Sequence, residues 1–185
     1  QPVGCRYRRT ADRRPRDEIT LISKAPPLPS GRVPSRHRER APALREALNG
    51  PRLHEFLAEM NREVGLSDRH LLTVGEMPAV TVDEAVLFTD PTRGEVDMVF
   101  QFEHVGLDHG EHKWDRRPLE LAELKASLGR WQAGLAEVGW NSLYWNNHDQ
   151  PRAVSRFGDD GQYRVESAKL LATVLHLHRG TPYVY

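Results

Sequence analysis

The chain has 185 residues, enough for one ordinary domain with a sizeable core, and its 26 basic and 26 acidic residues give a formal net charge of zero. A single cysteine, Cys5, excludes an internal disulfide framework and favours a reducing compartment, so we expect a cytoplasmic location. No apolar run is long enough to cross a bilayer and no secretory signal is visible, which predicts no membrane partner.

Charge and composition divide the sequence into two parts. Residues 1–48 are rich in Arg and Pro, and residues 1–40 hold 11 Lys and Arg against 4 Asp and Glu. This composition predicts a degenerate or disordered segment over 1–48 and a folded domain over 49–185. A basic arm can neutralise nucleic-acid phosphates, but Tyr7 is its only aromatic residue and no reader motif is present. We therefore expect no nucleic-acid partner.

Hydrophobic periodicity after residue 49 alternates between helical and strand spacing. The predicted elements, in chain order, are a helix over Leu53–Val64, a strand over Leu71–Gly75, a helix opened by the Thr81–Glu84 capping box, a strand over Val96–Phe102, a helix from Pro118 to Val138, a strand over Asn141–Trp145, a helix over Arg164–His178 and a strand from Pro182 to Tyr185. Alternating strands and helices predict an α/β fold with a parallel sheet.

Acidic side chains follow two of the predicted strands. Glu76 comes directly after Leu71–Gly75, and His148-Asp149 follows Asn141–Trp145. Buried charge without compensation is costly, so a His-Asp pair at the end of a buried strand is either well partnered or part of a site. Two strand-end carboxyl groups suggest glycoside cleavage. The alternatives are a solvated loop carboxylate at Glu76 and an ordinary turn at His148-Asp149.

The same motifs carry a family resemblance. They are Val74–Pro78, Met98–His104, Trp140–Arg152, Val154–Asp160 and Gly180–Tyr185. From about Asn49 to Tyr185 the chain resembles the α-amylase superfamily, glycoside hydrolase family 13, and within it the oligo-1,6-glucosidase and α-glucosidase branch. The resemblance implies a partial (β/α)8 TIM barrel, about strands 4 to 8 of the catalytic barrel, because a complete barrel needs about 250 residues.

The resemblance also implies roles for individual residues. Glu76 is the expected general acid/base, and Asp149 the group that stabilises the oxocarbenium-like transition state. His148 is expected to contact sugar hydroxyls, and Arg152 and Arg156 to shape the site of the leaving sugar. Both arginines are equally consistent with solvated surface charges. No cofactor and no metal are implied.

The nucleophile is less clearly marked. Asp17–Lys24 fits the second half of the family's nucleophile strand, which puts Asp17 on the nucleophile position. The family's Gly-Phe-Arg-x is replaced by Arg13–Arg16, so Pro15 stands where an arginine is expected. Glu18 also replaces a small apolar residue that helps to set linkage preference. This pattern suggests a frame-shifted reading or a damaged gene; otherwise Asp17 is an ordinary charge in a disordered arm.

A third group of polar residues, Glu103-His104, Asp108-His109 and Glu111-His112, contains many potential metal ligands. Its spacing matches no familiar zinc pattern, so a loop lining the sugar pocket is the preferred interpretation. Aromatic residues can stack on sugars, but Trp131 lies on an apolar helix stripe and is predicted to be core.

The resulting hypothesis is a fragment of a retaining α-glucosidase. Its substrates would be short oligosaccharides, either isomalto- or malto-oligosaccharides, and the fragment alone is expected to be inactive. The alternative is a catalytically inactive amylase-like fragment or an interaction protein.

Overall fold

Short parallel strands alternate with helices along the chain. The computed structural model describes residues 50–110 and 114–185, and the residues from Arg52 to Tyr185 belong to one compact unit. The elements are α1 (Leu53–Val64), β1 (Val74–Glu76), α2 (Val82–Thr89), β2 (Met98–Phe100), α3 (Glu103–Gly106), α4 (Leu121–Gly134), β3 (Ser142–Leu143), α5 (Ala153–Phe157), α6 (Arg164–His176) and β4 (Thr181–Pro182). The predicted α/β class is confirmed.

The strands pair in parallel and in chain order. β1 pairs with β2, with Glu76 opposite Phe100, and β3 pairs with β4, with Leu143 opposite Pro182. A parallel bridge between Val99 and Asn141 joins the two strand pairs. Since the strands run in the same direction, their carboxyl ends lie at one edge. Side chains that follow β1, β2 and β3 are therefore delivered to the same edge.

Gly180 allows β4 to approach β3 closely. Its φ is +155°, a backbone conformation that side chains rarely permit, and a Cβ atom there would lie 2.5 Å from the Asn141 carbonyl oxygen. The Thr181 N–H donates to that same oxygen at 2.9 Å. A glycine between α6 and β4 is thus required by this strand pairing.

Two apolar clusters hold the helices against the strands. The first contains Phe88 of α2, Val99 of β2, Trp131 of α4 and Leu135, which directly follows α4, all at most 2% exposed. This placement confirms the prediction that Trp131 is core. The second cluster consists of Leu124, Leu143, Trp145 and Leu175. Each fully buried large apolar side chain contributes about 1.5–3 kcal/mol, so these clusters are the main favourable term in folding.

The starts of the predicted helices follow local signals with one exception, whereas α4 and α6 end earlier than predicted, at Gly134 and His176. The Thr81 hydroxyl accepts from the Glu84 N–H at 3.3 Å while the Glu84 carboxylate accepts from the Thr81 N–H at 2.7 Å, which confirms the capping box. α1 spans Leu53–Val64 and so contains the whole predicted apolar stripe. α4 begins at Leu121, whereas the sequence placed its start at Pro118. The backbone at Glu120 is still extended, so Glu120 is its N-cap.

The strands are shorter than the apolar runs that predicted them. Leu71 and Leu72 precede β1 and are 42% and 64% exposed, and Trp145 follows β3 while still packing in the second cluster. Hydrophobicity reports burial, whereas a strand also needs backbone pairing, and the two do not end at the same residue. Two short helices, α3 and α5, fill stretches where no helix was predicted.

Several large apolar side chains are not covered by the described residues. Met60 and Val64 on α1 are 41% and 43% exposed, and Leu170 on α6 is 65% exposed. Within 50–110 and 114–185, no helix is long and apolar enough to cross a membrane.

Candidate active site

Glu76 is the last residue of β1 and is held by its backbone. The following residue, Met77, donates its N–H to the Phe100 carbonyl at 3.1 Å and packs its side chain against the first apolar cluster. The chain then turns, with the Val80 N–H donating to the Met77 carbonyl at 3.3 Å. Glu76 itself is exposed. Its carboxyl group therefore projects from an anchored position at the carboxyl edge of the strands.

His148 and Asp149 lie in an ordered turn beyond β3. Their side chains are 68% and 60% exposed, with Nε2 of His148 3.6 Å from Oδ2 of Asp149. The Asp149 N–H donates to Oδ1 of Asn147 at 2.9 Å, and the Gln150 N–H donates to the Asn147 carbonyl at 3.2 Å. Asn146, which precedes the turn, is buried. His148 and Asp149 thus lie both in a turn and at the end of a strand, which the sequence patterns left as alternatives. The turn exposes the two side chains at the carboxyl edge of the strands.

Tyr144 connects the two carboxyl positions. It lies just beyond β3, is 2% exposed, and donates its hydroxyl to the Gln101 carbonyl at 2.7 Å. Burial raises the pKa of the Tyr144 phenol strongly, and the negative charge of Glu76 raises that pKa further. The charge of Glu76 therefore affects the pKa of Tyr144, which lies five residues before Asp149 in the chain.

The two arginines of the next segment occupy different environments. Arg152 is exposed, with its guanidinium carbon 4.8 Å from the centroid of the Tyr185 ring. The Arg156 side chain is 1% exposed, and its Nε donates to Oδ2 of Asp108 at 2.9 Å. Because its side chain is buried, Arg156 is not a solvated surface charge. The Asp108 carboxylate compensates its buried positive charge.

The potential metal ligands predicted between Glu103 and His112 bind separate protein partners. Glu103 accepts from the Trp131 indole N–H at 3.0 Å, and Asp108 binds Arg116 and Arg156. In the part of the chain that the structure describes, no three His, Cys, Asp or Glu side chains are grouped to hold a metal. Glu111 and His112 lie outside the described residues.

His104, a further one of these potential ligands, bonds within the protein interior. Its Nε2 lies 2.6 Å from the Tyr144 carbonyl and its Nδ1 lies 2.8 Å from the Gln101 side-chain amide nitrogen. Since a carbonyl only accepts, Nε2 carries the proton and Nδ1 accepts. Burial lowers the pKa of His104 to about 4, so the ring is neutral near pH 7.

The sequence patterns single out neither Tyr144 nor Gln101 as a site residue. Gln101 is 6% exposed, and its side-chain oxygen accepts from the Glu103 N–H at 2.7 Å. The available signal was an amide inside the apolar run Val96–Phe102, since a buried polar group needs partners. Asp17, the predicted nucleophile, lies outside the described residues.

Comparison with known proteins gives consistent results. The sequence profile of the α-amylase catalytic domain matches residues 16–185. An oligo-1,6-glucosidase from Parageobacillus thermoglucosidasius is 61% identical over 170 residues, which cover 91% of this chain and 30% of that protein. A trehalose-6-phosphate hydrolase from Bacillus subtilis (strain 168) is 48% identical over 172 residues, which cover 91% of this chain and 29% of that protein.

A solved structure agrees with these relatives. The crystal structure of Bacillus licheniformis trehalose-6-phosphate hydrolase superimposes with a TM-score of 0.76 at 44% identity, covering 90% of this chain and 29% of that one. The chain thus spans about 30% of the length of the curated relatives that it matches.

Proposed function

The chain belongs to the α-amylase catalytic-domain family, and on that premise we propose that it supplies part of the active site of a retaining α-glucosidase. The observation that carries the proposal is the parallel pairing of the strands, which brings Glu76 and the His148-Asp149 pair to one edge. In barrel enzymes the active site lies at the carboxyl ends of the strands. The finer architecture belongs to the same proposal: the strands are about the fourth to eighth of a (β/α)8 barrel.

In this proposal the two carboxyl groups divide the chemistry. Glu76 protonates the oxygen of the leaving sugar and then activates water, while Asp149 stabilises the positively charged transition state and His148 binds sugar hydroxyls. A carboxyl group that serves as a general acid works in an apolar surround or beside a negative charge. Glu76 is exposed within the described residues, so that surround has to come from other parts of the enzyme.

Asp17 is the proposed nucleophile. The profile match begins at residue 16 and so includes Asp17–Lys24, which supports family sequence at this position. Retaining enzymes place the nucleophile and the acid carboxyl groups about 5–5.5 Å apart, so Asp17 and Glu76 should meet at that separation in the working enzyme. Glu18 and Pro15 depart from the family pattern, and they are the features that favour the inactive alternative.

The proposed substrates are short α-linked oligosaccharides, isomalto-oligosaccharides before malto-oligosaccharides. The relative at 61% identity is named for α-1,6 linkages, and the one at 48% for trehalose 6-phosphate. Arg152 is proposed to border the site of the leaving sugar, and Arg156 to shape that site from the protein interior. No membrane or nucleic-acid partner is needed. The proposal places the enzyme in the cytoplasm, where a chain with the single cysteine Cys5 needs no disulfide.

A hybrid enzyme tests this proposal. In the oligo-1,6-glucosidase of P. thermoglucosidasius, only the part that aligns with residues 50–185 is replaced by residues 50–185 of this chain, so the relative keeps its own nucleophile strand. Hydrolysis of a chromogenic α-glucoside is then measured. We expect activity in the hybrid and none in the 185-residue chain alone, whose Glu76 and Asp149 are both exposed. Glu76→Gln should lower kcat of the hybrid by about 10²–10⁴-fold, the usual contribution of a general acid.

Two outcomes would overturn the assignment. One is a correctly folded hybrid that lacks activity, and the other is a Glu76→Gln hybrid with an unchanged rate. Isomaltose and trehalose 6-phosphate are then compared as substrates, and we expect the higher kcat/KM for isomaltose. A higher kcat/KM for trehalose 6-phosphate would instead group the enzyme with the trehalose-6-phosphate hydrolases.

A further inference from the structure

A buried ion-pair cluster connects the segment after β2 to the segment after β3. Asp108 follows α3, and Arg156 lies on α5, 48 residues further along the chain. Their side chains are 3% and 1% exposed, and the Arg156 guanidinium binds both carboxylate oxygens. Arg116 adds a further contact, donating to Oδ2 of Asp108 at 2.9 Å. We name Asp108, Arg116 and Arg156 the Asp108 clamp.

The hydrogen-bond donors of Arg156 are almost all used inside the protein. Nε and Nη2 donate to Asp108, Nη2 also donates to the Val105 carbonyl at 2.5 Å, and Nη1 donates to Oε1 of Gln150 at 3.1 Å. Nη2 also lies 3.1 Å from Nε2 of His109. Guanidinium offers five N–H groups in a fixed planar fork. A group occupied in this way has little capacity left for a sugar hydroxyl.

The contact with Gln150 extends the clamp to the proposed catalytic turn. Gln150 directly follows Asp149, and its own N–H closes the turn on the Asn147 carbonyl at 3.2 Å. Its side chain is therefore fixed by Arg156 while its backbone fixes the turn that presents His148 and Asp149. In contrast, the side chains of His148 and Asp149 are mostly exposed.

We propose that Asp108 and Arg156 are positioning residues that hold the His148-Asp149 turn through Gln150. The inference rests on the proposed function, because it assumes that Asp149 acts on the sugar. Asp108 keeps the buried guanidinium in place by bidentate binding, and Arg156 transmits that position to Gln150. Burial alone would raise the pKa of Asp108, but hydrogen bonds and positive charge from Arg156, together with Arg116, lower it, so the carboxylate stays ionised.

The chain contains a matched control for this clamp. Glu95 is another buried carboxylate, with a side chain 2% exposed that binds Arg93 at 2.7 Å and Nδ1 of His54 at 2.6 Å. It precedes β2 and so lies at the opposite, amino edge of the strands. Glu95→Gln therefore removes a buried charge without touching the segment from Asn147 to Arg152.

The experiment compares Asp108→Asn with Glu95→Gln in two measurements. Hydrogen exchange of the full 185-residue chain, read at peptides covering 146–152, should show loss of protection in Asp108→Asn and wild-type protection in Glu95→Gln. In the hybrid enzyme, Asp108→Asn should lower kcat by roughly ten- to a hundredfold, a larger effect than any rise in KM. The reason is that the misplaced Asp149 carboxylate acts on the transition state, whereas the His148 contact binds the sugar in both states. Glu95→Gln should leave kcat unchanged.

A milder variant decides the matter if Asp108→Asn fails to fold. Gln150→Met removes the side-chain oxygen that accepts from Arg156 but keeps the Asp108–Arg156 pair. Like Asp108→Asn, it should lower both kcat and the exchange protection of residues 146–152. Wild-type exchange in both Asp108→Asn and Gln150→Met would overturn the inference. A raised KM with unchanged kcat would also overturn it, because it would indicate direct sugar binding. An inactive hybrid with the original sequence refutes the proposed function instead, and hydrogen exchange then still tests the clamp.

Discussion

The Tyr144 hydroxyl donates a hydrogen bond to the Gln101 carbonyl oxygen at 2.7 Å, which ties the end of β3 to the end of β2. The His104 ring makes a second hydrogen bond between the same segments by donating to the Tyr144 carbonyl at 2.6 Å. The Tyr144 ring also packs edge-on against Phe100. The backbone and the side chain of Tyr144 are thus both fixed on β2 or just after it. Glu76 and the His148-Asp149 turn lie on either side of this connection along the strand order.

Removing the Tyr144 hydroxyl should destabilise the protein without changing its packing volume much. Tyr144→Phe leaves the buried Gln101 carbonyl without that donor, which costs about 1–3 kcal/mol in the free energy of unfolding. Tyr163→Phe is the control, since Tyr163 is 55% exposed, and its effect should stay within about 0.5 kcal/mol. Urea unfolding of the 185-residue chain measures both. Equal effects in the two variants would argue against the hydrogen bond.

Buried, neutral His104 should make stability depend on pH. Its pKa is about 4 in the folded protein against a model-peptide value of 6.5, so between these values the unfolded chain binds more protons. The stabilisation is therefore complete above about pH 6.5 and is lost as pH falls to about 4, by roughly 3 kcal/mol in total. Urea unfolding at several pH values measures this slope.

His104→Gln is expected to flatten the slope between pH 4 and 6.5, even though it lowers stability at all pH values by disturbing the Gln101 and Tyr144 contacts. His176→Gln, on the exposed side of α6, should keep the slope of the original chain. A slope that survives His104→Gln would assign the pH dependence to another group.

Core packing predicts a large difference between two identical substitutions. Leu135 in the first apolar cluster is 1% exposed, whereas Leu177 beyond α6 is 81% exposed. Leu135→Ala should lower the free energy of unfolding by about 2–5 kcal/mol, because it loses burial and leaves a cavity. Leu177→Ala should change it by less than about 0.5 kcal/mol. Comparable losses would mean that the first cluster is not the core of the chain in solution.

Uncovered apolar side chains should make the 185-residue chain bind hydrophobic dyes. Leu72 is 64% exposed and Leu170 is 65% exposed, and exposed apolar surface of this kind marks interaction or aggregation sites. We expect ANS fluorescence to rise on mixing and sedimentation to show concentration-dependent association. The double variant Leu72→Ser and Leu170→Ser should reduce both signals, while Thr173→Ser on the exposed face of α6 should not. Absence of dye binding would contradict this expectation.

The sequence alone determined features that depend on neighbours a few residues away. The spacing of the apolar stripe from Leu53 to Val64 predicted α1, and the Thr81–Glu84 pattern predicted the start of α2. Trp131 was assigned to the core from its place on the α4 stripe. These predictions hold because helix periodicity and capping are set by contacts within one or two turns.

The tertiary structure alone decided which charged residues are buried. Arg152 and Arg156 are four residues apart and look alike in the sequence, yet one is exposed and the other is enclosed by the Asp108 clamp. The difference arises because Asp108 lies 48 residues earlier in the chain and comes close only where Val99 of β2 bridges to Asn141, just before β3. Periodicity gives the face of a helix, but the partner that compensates a buried charge is known only once distant segments meet.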